Sequence, residues 1–213
     1  MAPPRSPEPR WPAALAVFAV GGLHWALPSS LTMGPPWLLL AIVVALLVPT
    51  ELARRRGWHA ANQFAGYVLA GVVTAAMVWA LAALIAALPG RAESPLALLR
   101  SAAVLWVTNV LVFASWYWRL DGGGPHQRDL RAAHTDGAFL FPQMQMMLDG
   151  VAGERTWRPG FVDYLFLAFN TSTAFSPTDT PVLSRWAKIM VMLQASISLT
   201  TVGILAARAV NIL

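Results

Sequence analysis

The tract Asn170-Thr171-Ser172-Thr173-Ala174-Phe175-Ser176-Pro177-Thr178-Asp179-Thr180-Pro181 decides how this chain folds. A short apolar stretch, 161–169, precedes it, and a long apolar segment, 184–213, follows. About fifteen helix-compatible residues stand before Ser176-Pro177, whereas a helical bilayer crossing needs roughly 20. Non-helical polar backbone is tolerated at membrane depth only where it is buried in protein or lines a wet cavity. A short helix, a polar turn and a full-length helix therefore predict a re-entrant hairpin over 161–213.

The rest of the composition places that hairpin in a membrane. Of 213 residues, 57% are hydrophobic and 12% charged, about half the charged fraction of soluble domains, roughly 25%. Several apolar runs approach or exceed bilayer length, so the expected class is an all-α, polytopic membrane bundle with about five transmembrane helices and the hairpin. The chain has no cysteine, which excludes disulfides and thiolate metal sites. Its net charge of +5 rests on 14 arginines and one lysine. In a membrane protein such an excess marks topology and lipid contact, not nucleic-acid binding.

Residues 1–10 are proline-rich and polar, and are expected to form a disordered arm. A four-span bundle over 11–118 follows. Its spans are read at 11–27, 37–52, 62–88 and 96–118. Trp11 and Trp25 suit the interfaces at the ends of the first span, and His24 lies near its far end. Arg54, Arg55 and Arg56 close the second span as a cytoplasm-facing anchor, with contact to anionic lipid an added role. Gly66 and Gly71 offer close-packing surfaces in the third, which Pro89-Gly90 ends before Arg91 and Glu93. In the fourth, Ser101, Thr108 and Ser115 recur every seven residues beside Asn109, a face suited to interhelical hydrogen bonds or to lining a path. Trp116-Tyr117-Trp118-Arg119 reads as an interfacial belt.

Residues 119–160 form the one long extramembrane loop. Asp121-Gly122-Gly123-Gly124-Pro125 is turn chemistry, and without G-K-[ST] it is no phosphate loop. The segment 138–148 is apolar, methionine-rich and too short to cross; it either lies along the interface or packs under the hairpin. His126, His134, Asp129 and Asp136 are too loosely spaced for a metal site and are expected in solvent. The arginine distribution favours a cytoplasmic N-terminus in a bacterial inner membrane, which makes the hairpin enter from the cytoplasmic side. Two other arrangements stay open: a kinked full crossing of 161–181, giving six spans, or an external N-terminus.

On Thr171, Thr173, Asp179, Trp186 and Lys188, residues 171–188 resemble the pore loop of tetrameric cation channels, whose potassium-selective form reads T-x-T-T-V-G-Y-G-D followed by W-G-R. The glycine-tyrosine-glycine core is missing: Ser176-Pro177-Thr178 stands there, after Phe175 in place of valine. Pro177 fixes φ and donates no N–H, so the carbonyl cage of a potassium filter cannot form in its usual way. The C-terminal half also resembles a family of uncharacterised bacterial integral membrane proteins with this channel-like ending. The resemblance implies a homo-oligomer, with a tetramer favoured, embedded in lipid and passing a monovalent cation. Thr171, Ser172, Thr173, Ala174, Phe175, Ser176, Pro177, Thr178 and Asp179 would form its constriction.

In the last helix Gln194, Ser198, Thr201, Leu205 and Arg208 are spaced 4, 3, 4 and 3 and share one face. A polar stripe on a membrane helix must face protein or water; it either packs against other helices or, as Gln194, Ser198 and Thr201, lines a pore. Asp163 complements the start of the short helix, and Asp179 attracts cations at a mouth or bonds its own turn. There is no G-x-S-x-G, no H-E-x-x-H and no tight carboxylate pair within a span, so neither an enzyme nor a resident cofactor is expected. The expected function is channel-like, non-selective cation conduction; the alternative is a non-conducting scaffold or accessory subunit that kept a degenerate channel fold.

Overall fold

The computed structural model describes residues 7–88, 94–131, 133–150, 157–176 and 179–210, the last three in backbone only. Eight α-helices are described: α1 Trp11–Trp25, α2 Leu38–Arg55, α3 His59–Ala87, α4 Pro95–Leu120, α5 Pro125–Leu130, α6 Pro142–Leu148, α7 Phe161–Ala174 and α8 Arg185–Val210. Among the described residues the only extended pairing is one antiparallel bridge, Phe139 with Val182. Three helices, α3, α4 and α8, are long and apolar enough to cross a membrane; α1 is apolar but shorter. The chain is thus an all-helical protein with the makings of a membrane bundle. The Pro89-Gly90 turn, Arg91, Glu93, Arg155 and the Arg208 side chain lie outside the described residues.

Local chemistry sets the helix limits. Pro12 and Pro95 stand in the first turns of α1 and α4, where a missing N–H costs nothing. Ser94 caps α4, its hydroxyl accepting from Ala97 N at 3.2 Å. Gly57, at φ +72°, makes the tight reversal between α2 and α3. Asn62 then donates to Thr50 O at 2.8 Å and ties the two helices at that end.

The bundle is built around α4, which packs against α1, α3, α7 and α8. Half of its most apolar window is buried, against 22% for α8. Tyr117 and Trp118 are buried within the protein and Trp116 and Arg119 half-buried, so the middle of the belt expected at 116–119 is instead core. The cause is contact from three sides: Tyr117 meets Phe139, Trp118 meets Phe161, and Trp116 donates to Thr74 Oγ1 of α3. Gly66 makes room for a side chain rather than for a helix. A Cβ there would lie 1.8 Å from the Arg119 guanidinium carbon, while Gly71 faces open space.

Beyond α4 the connecting segment folds back on the bundle. Asp121, wholly buried, accepts from Ala138 N at 2.5 Å on Oδ1 and from the Tyr164 hydroxyl at 2.7 Å on Oδ2. His134 is also buried, with Nε2 3.2 Å from Oδ2. That approach is off the line of a good hydrogen bond, so neither ring nitrogen has a hydrogen-bond partner among the described residues. The solvated position expected for His134 is therefore wrong: the left-handed turn at Gly122 and the side-chain-free Gly137 let the imidazole pack flush against Asp121. Arg128, 2% exposed, donates through Nη1 to Trp118 O and Asp121 O, both at 2.7 Å, and stacks over Tyr164. No group of three or more potential metal ligands occurs among the described residues.

The proline-rich arm is also anchored where it is described. Glu8 accepts from Trp118 Nε1 at 2.6 Å and pairs with Arg128 at 3.3 Å. Arg10 pairs with Asp129 and with Glu8. Residues 7–10 are thus not a free tail, because their charges find partners of opposite sign at the end of α4; residues 1–6 lie outside the described residues. The segment 138–148 holds α6 and packs inward through Phe139, Phe141 and Met144, which is the second of its two expected placements.

Asp121→Ala strands Tyr164 Oη and Ala138 N in a buried site. Each orphaned group costs about 1–3 kcal/mol, so the loss should exceed that of Tyr164→Phe, which removes one bond and leaves Oδ2 beside His134. Thermal unfolding in detergent ranks the two, and limited proteolysis should open 131–150 first in Asp121→Ala.

Candidate functional site

The unit of α7 and α8, expected from sequence to be a re-entrant hairpin, is the candidate site, and its geometry follows from where α7 starts and stops. Gly160 N donates to Asp163 Oδ2 at 2.7 Å, and Phe161 rests on Trp118. The helix therefore begins at the end of α4. It runs 14 residues, about 21 Å at 1.5 Å per residue, short of the roughly 30 Å hydrocarbon core. Its far end lies beside Trp106 and Asn109, midway along α4. The chain then reappears at the end of α4 where α7 began: Leu140 N donates to Pro181 O at 2.9 Å, and Leu183 N to Ala138 O at 2.8 Å. Trp186, at the start of α8, packs on Phe139.

The polar tract does not turn where its composition changes. Asn170 to Ala174 continue α7. Thr171 and Thr173 turn their hydroxyls onto the carbonyls of Leu167 and Phe169, four residues back, at 2.9 and 3.0 Å. Both threonine hydroxyls are thus satisfied within their own helix. The helix ends at Phe175, a left-handed residue with φ 55° and ψ 21°. That region is costly for a bulky side chain, about 1–2 kcal/mol. Of the nine residues expected to form a constriction, Thr171 to Ala174 are helical. Thr171 and Ser172 are buried, and Thr173, Ala174, Phe175, Ser176 and Asp179 are exposed. Pro177 and Thr178 lie outside the described residues. An extended filter beginning at Thr171 is therefore not the arrangement here.

Of the last four carbonyls of α7, that of buried Ser172 takes its donors from outside the helix. The last helix and α4 supply them, and also bond Ala168 O and Ser172 Oγ. Gln194 Nε2 donates to Ala168 O at 2.7 Å and to Ser172 Oγ at 2.9 Å. Ser198 Oγ donates to Ser172 O at 2.5 Å, and Trp106 Nε1 reaches Ser198 Oγ at 3.1 Å. Asn109 Nδ2 donates to Gln194 O at 3.2 Å, and the Tyr117 hydroxyl to Gln194 Oε1 at 2.6 Å. Gln194, Ser198 and Thr201 are each 0% exposed. Within the protomer the stripe faces inward, where Gln194 and Ser198 bond the buried face of α7 at Ala168 and Ser172. Thr201 bonds its own helix, at Ile197 O and Ser198 O.

Ser101, Thr108 and Ser115 bond the carbonyls four residues before them in α4, so Asn109 alone of that face reaches across helices. Sequence spacing did not single out Trp106 and Tyr117, which complete the network; an aromatic N–H or O–H placed at the level of a polar stripe was the available signal. On the outer side of α8, Ser196 and Thr200 are exposed, with hydroxyls on Met192 O and Ser196 O.

Gln194→Leu removes a donor from Ala168 O and Ser172 and an acceptor from Tyr117. It should cost about 2 kcal/mol in detergent unfolding, near the upper range for polar contacts between membrane helices. Ser196→Ala, on the outer face, should stay within about 0.5 kcal/mol; equal losses would mean that the inner network is not holding the hairpin.

Comparison with known proteins returns no matching family model, no matching curated protein and no matching solved structure.

Proposed function

We propose that this chain is a five-span integral membrane protein whose α7–α8 unit re-enters the bilayer, and that copies of it assemble, most simply as a four-fold ring, to pass a cation. One observation carries this reading. α7 starts at Asp121, stops beside Trp106 and Asn109, and the bridge at Val182 returns the chain to its starting end. A helix too short to cross, followed by a return to the same side, is the geometry that a narrow path through a ring of hairpins requires. One hairpin cannot enclose a path, so conduction rests on oligomer symmetry.

Arg10, Arg119, Arg128 and Arg158 gather at the end of α4, and Arg54 and Arg55 close α2 at the same end. By the positive-inside rule this end is cytoplasmic, and so is the N-terminus, in a bacterial inner membrane. The hairpin then opens toward the cytoplasm. With Gln194, Ser198 and Thr201 engaged inside the protomer, the groups left to face a ring axis are Thr173, Ser176 and Asp179 near the tip and Ser196 and Thr200 on α8. Asp179 is exposed and sets cation preference at the mouth. No catalytic role is part of this reading.

A second reading is a non-conducting scaffold or accessory subunit. It draws support from the complete burial of the inner stripe and from Phe175 and Pro177 in place of filter residues.

Reconstitution into liposomes with potassium and thallium flux separates the two. A conducting oligomer should show flux above empty liposomes, and Asp179→Asn should lower cation-over-anion preference several-fold. Absence of flux together with a monomer in detergent would overturn conduction and leave the scaffold.

A further inference from the structure

Where the ends of α1, α2, α3 and α4 meet, the helices and α5 enclose a cleft of about 730 Å³. Ala14, Val17, Leu47 and Leu69 are among its apolar walls, and Arg10, Arg54, Arg55 and Arg119 also line it. The charges are not balanced evenly. Arg10 is paired with Glu8 and Asp129, and Arg54 and Arg55 share Glu51. That engages all three carboxylates of the lining. Arg119 has no carboxylate partner among the described residues. Its guanidinium lies against Gly66, stacks on Trp118 at 5.4 Å and makes one long bond, 3.4 Å, to Asn62 O. Most of its five donors therefore remain to be filled. The space for it is built in, since any side chain at position 66 would collide with it.

A second apolar groove, lined by Phe18, Val44, Val48 and Leu52, shares Leu47, Glu51 and Arg55 with the cleft. The two are continuous along α2, and Val48 and Leu52 are exposed. We infer that the cleft binds an anionic phospholipid: its phosphate sits on Arg119, and an acyl chain runs along the apolar walls and out along the α1–α2 groove. A guanidinium without a counter-ion calls for a phosphate or carboxylate. The apolar walls and the exit along a surface facing lipid select a phospholipid over a free anion. Basic pockets between membrane helices at the arginine-rich face commonly take such headgroups. The site is independent of whether the protein conducts.

The test uses delipidated full-length protein in neutral detergent, titrated with phosphatidylglycerol and followed by native mass spectrometry. One phosphatidylglycerol per protomer should bind in preference to phosphatidylcholine. Arg119→Gln should weaken binding about ten-fold. Arg100→Gln, an exposed arginine at the other end of α4, should leave it unchanged. Ala14→Phe alters no charge and fills the cleft, so it should also abolish binding, and inorganic phosphate should not compete. Equal binding of phosphatidylcholine, or an unchanged affinity in Arg119→Gln, would overturn the inference. So would retained binding in Ala14→Phe with competition by phosphate, which would mark a soluble-anion site. If Arg119→Gln fails to fold, Arg119→Lys, which keeps the charge, and Ala14→Phe decide between the same outcomes: binding should survive the first and be lost in the second.

Discussion

One carboxylate ties the start of α7 to the approach of α8. Asp121 takes the Tyr164 hydroxyl near the start of α7 and the Ala138 N–H on its other oxygen. Ala138 in turn accepts from Leu183, just before α8. Entry and return are thereby held within one residue of the same side chain. An ionised group without exposed surface persists only when its lone pairs are filled and an opposite charge is near. Two donors bond the Asp121 carboxylate, one on each oxygen, and buried Arg128 lies against Tyr164 and bonds the Asp121 carbonyl. With both ends pinned, α7 has no freedom to continue across; its 14 residues end at about mid-depth of α4.

That ending creates a second requirement, which shapes α8. Carbonyls at a helix terminus are satisfied by water in a soluble protein, but inside an apolar bundle they need protein donors. Ser198 and Trp106 meet the need at Ser172 O, while Gln194 adds bonds to Ala168 O and Ser172 Oγ. The polar stripe on α8 thus answers the buried face of the last turns of α7. Any conducting role falls to groups that this network leaves exposed, and Thr173, Ser176, Asp179, Ser196 and Thr200 are the residues so placed.

Much of this was legible in the primary structure, and the parts that were not share a cause. Helix length and apolarity located α1 to α4 and α8 to within a few residues, because hydrophobic length is a local property. The 4-3 spacing of Gln194, Ser198 and Thr201 showed that they share a face; it could not say which way the face points, since that depends on where α7 lies. Thr171 and Thr173 read as the start of a turn because their polarity is visible and their bonds to Leu167 and Phe169 are not. Asp121, His134 and Glu8 read as turn, solvent and tail. Their burial depends on partners between 13 and 120 residues away, and no window along the chain contains those partners. That Arg119 has no carboxylate opposite it among the described residues is likewise a fact of packing that no local window shows.

The chain lacks cysteine, so single cysteines can be placed without background. The most direct measurement is labelling of Val162→Cys and Leu183→Cys by a membrane-impermeant maleimide, in right-side-out and inverted membrane vesicles. Both positions are exposed and flank the hairpin. A hairpin that re-enters predicts that the two are labelled from the same face of the membrane. Labelling of Val162→Cys from one face and Leu183→Cys from the other would mean that α7 and the tract after it cross the bilayer, and would contradict the arrangement described here.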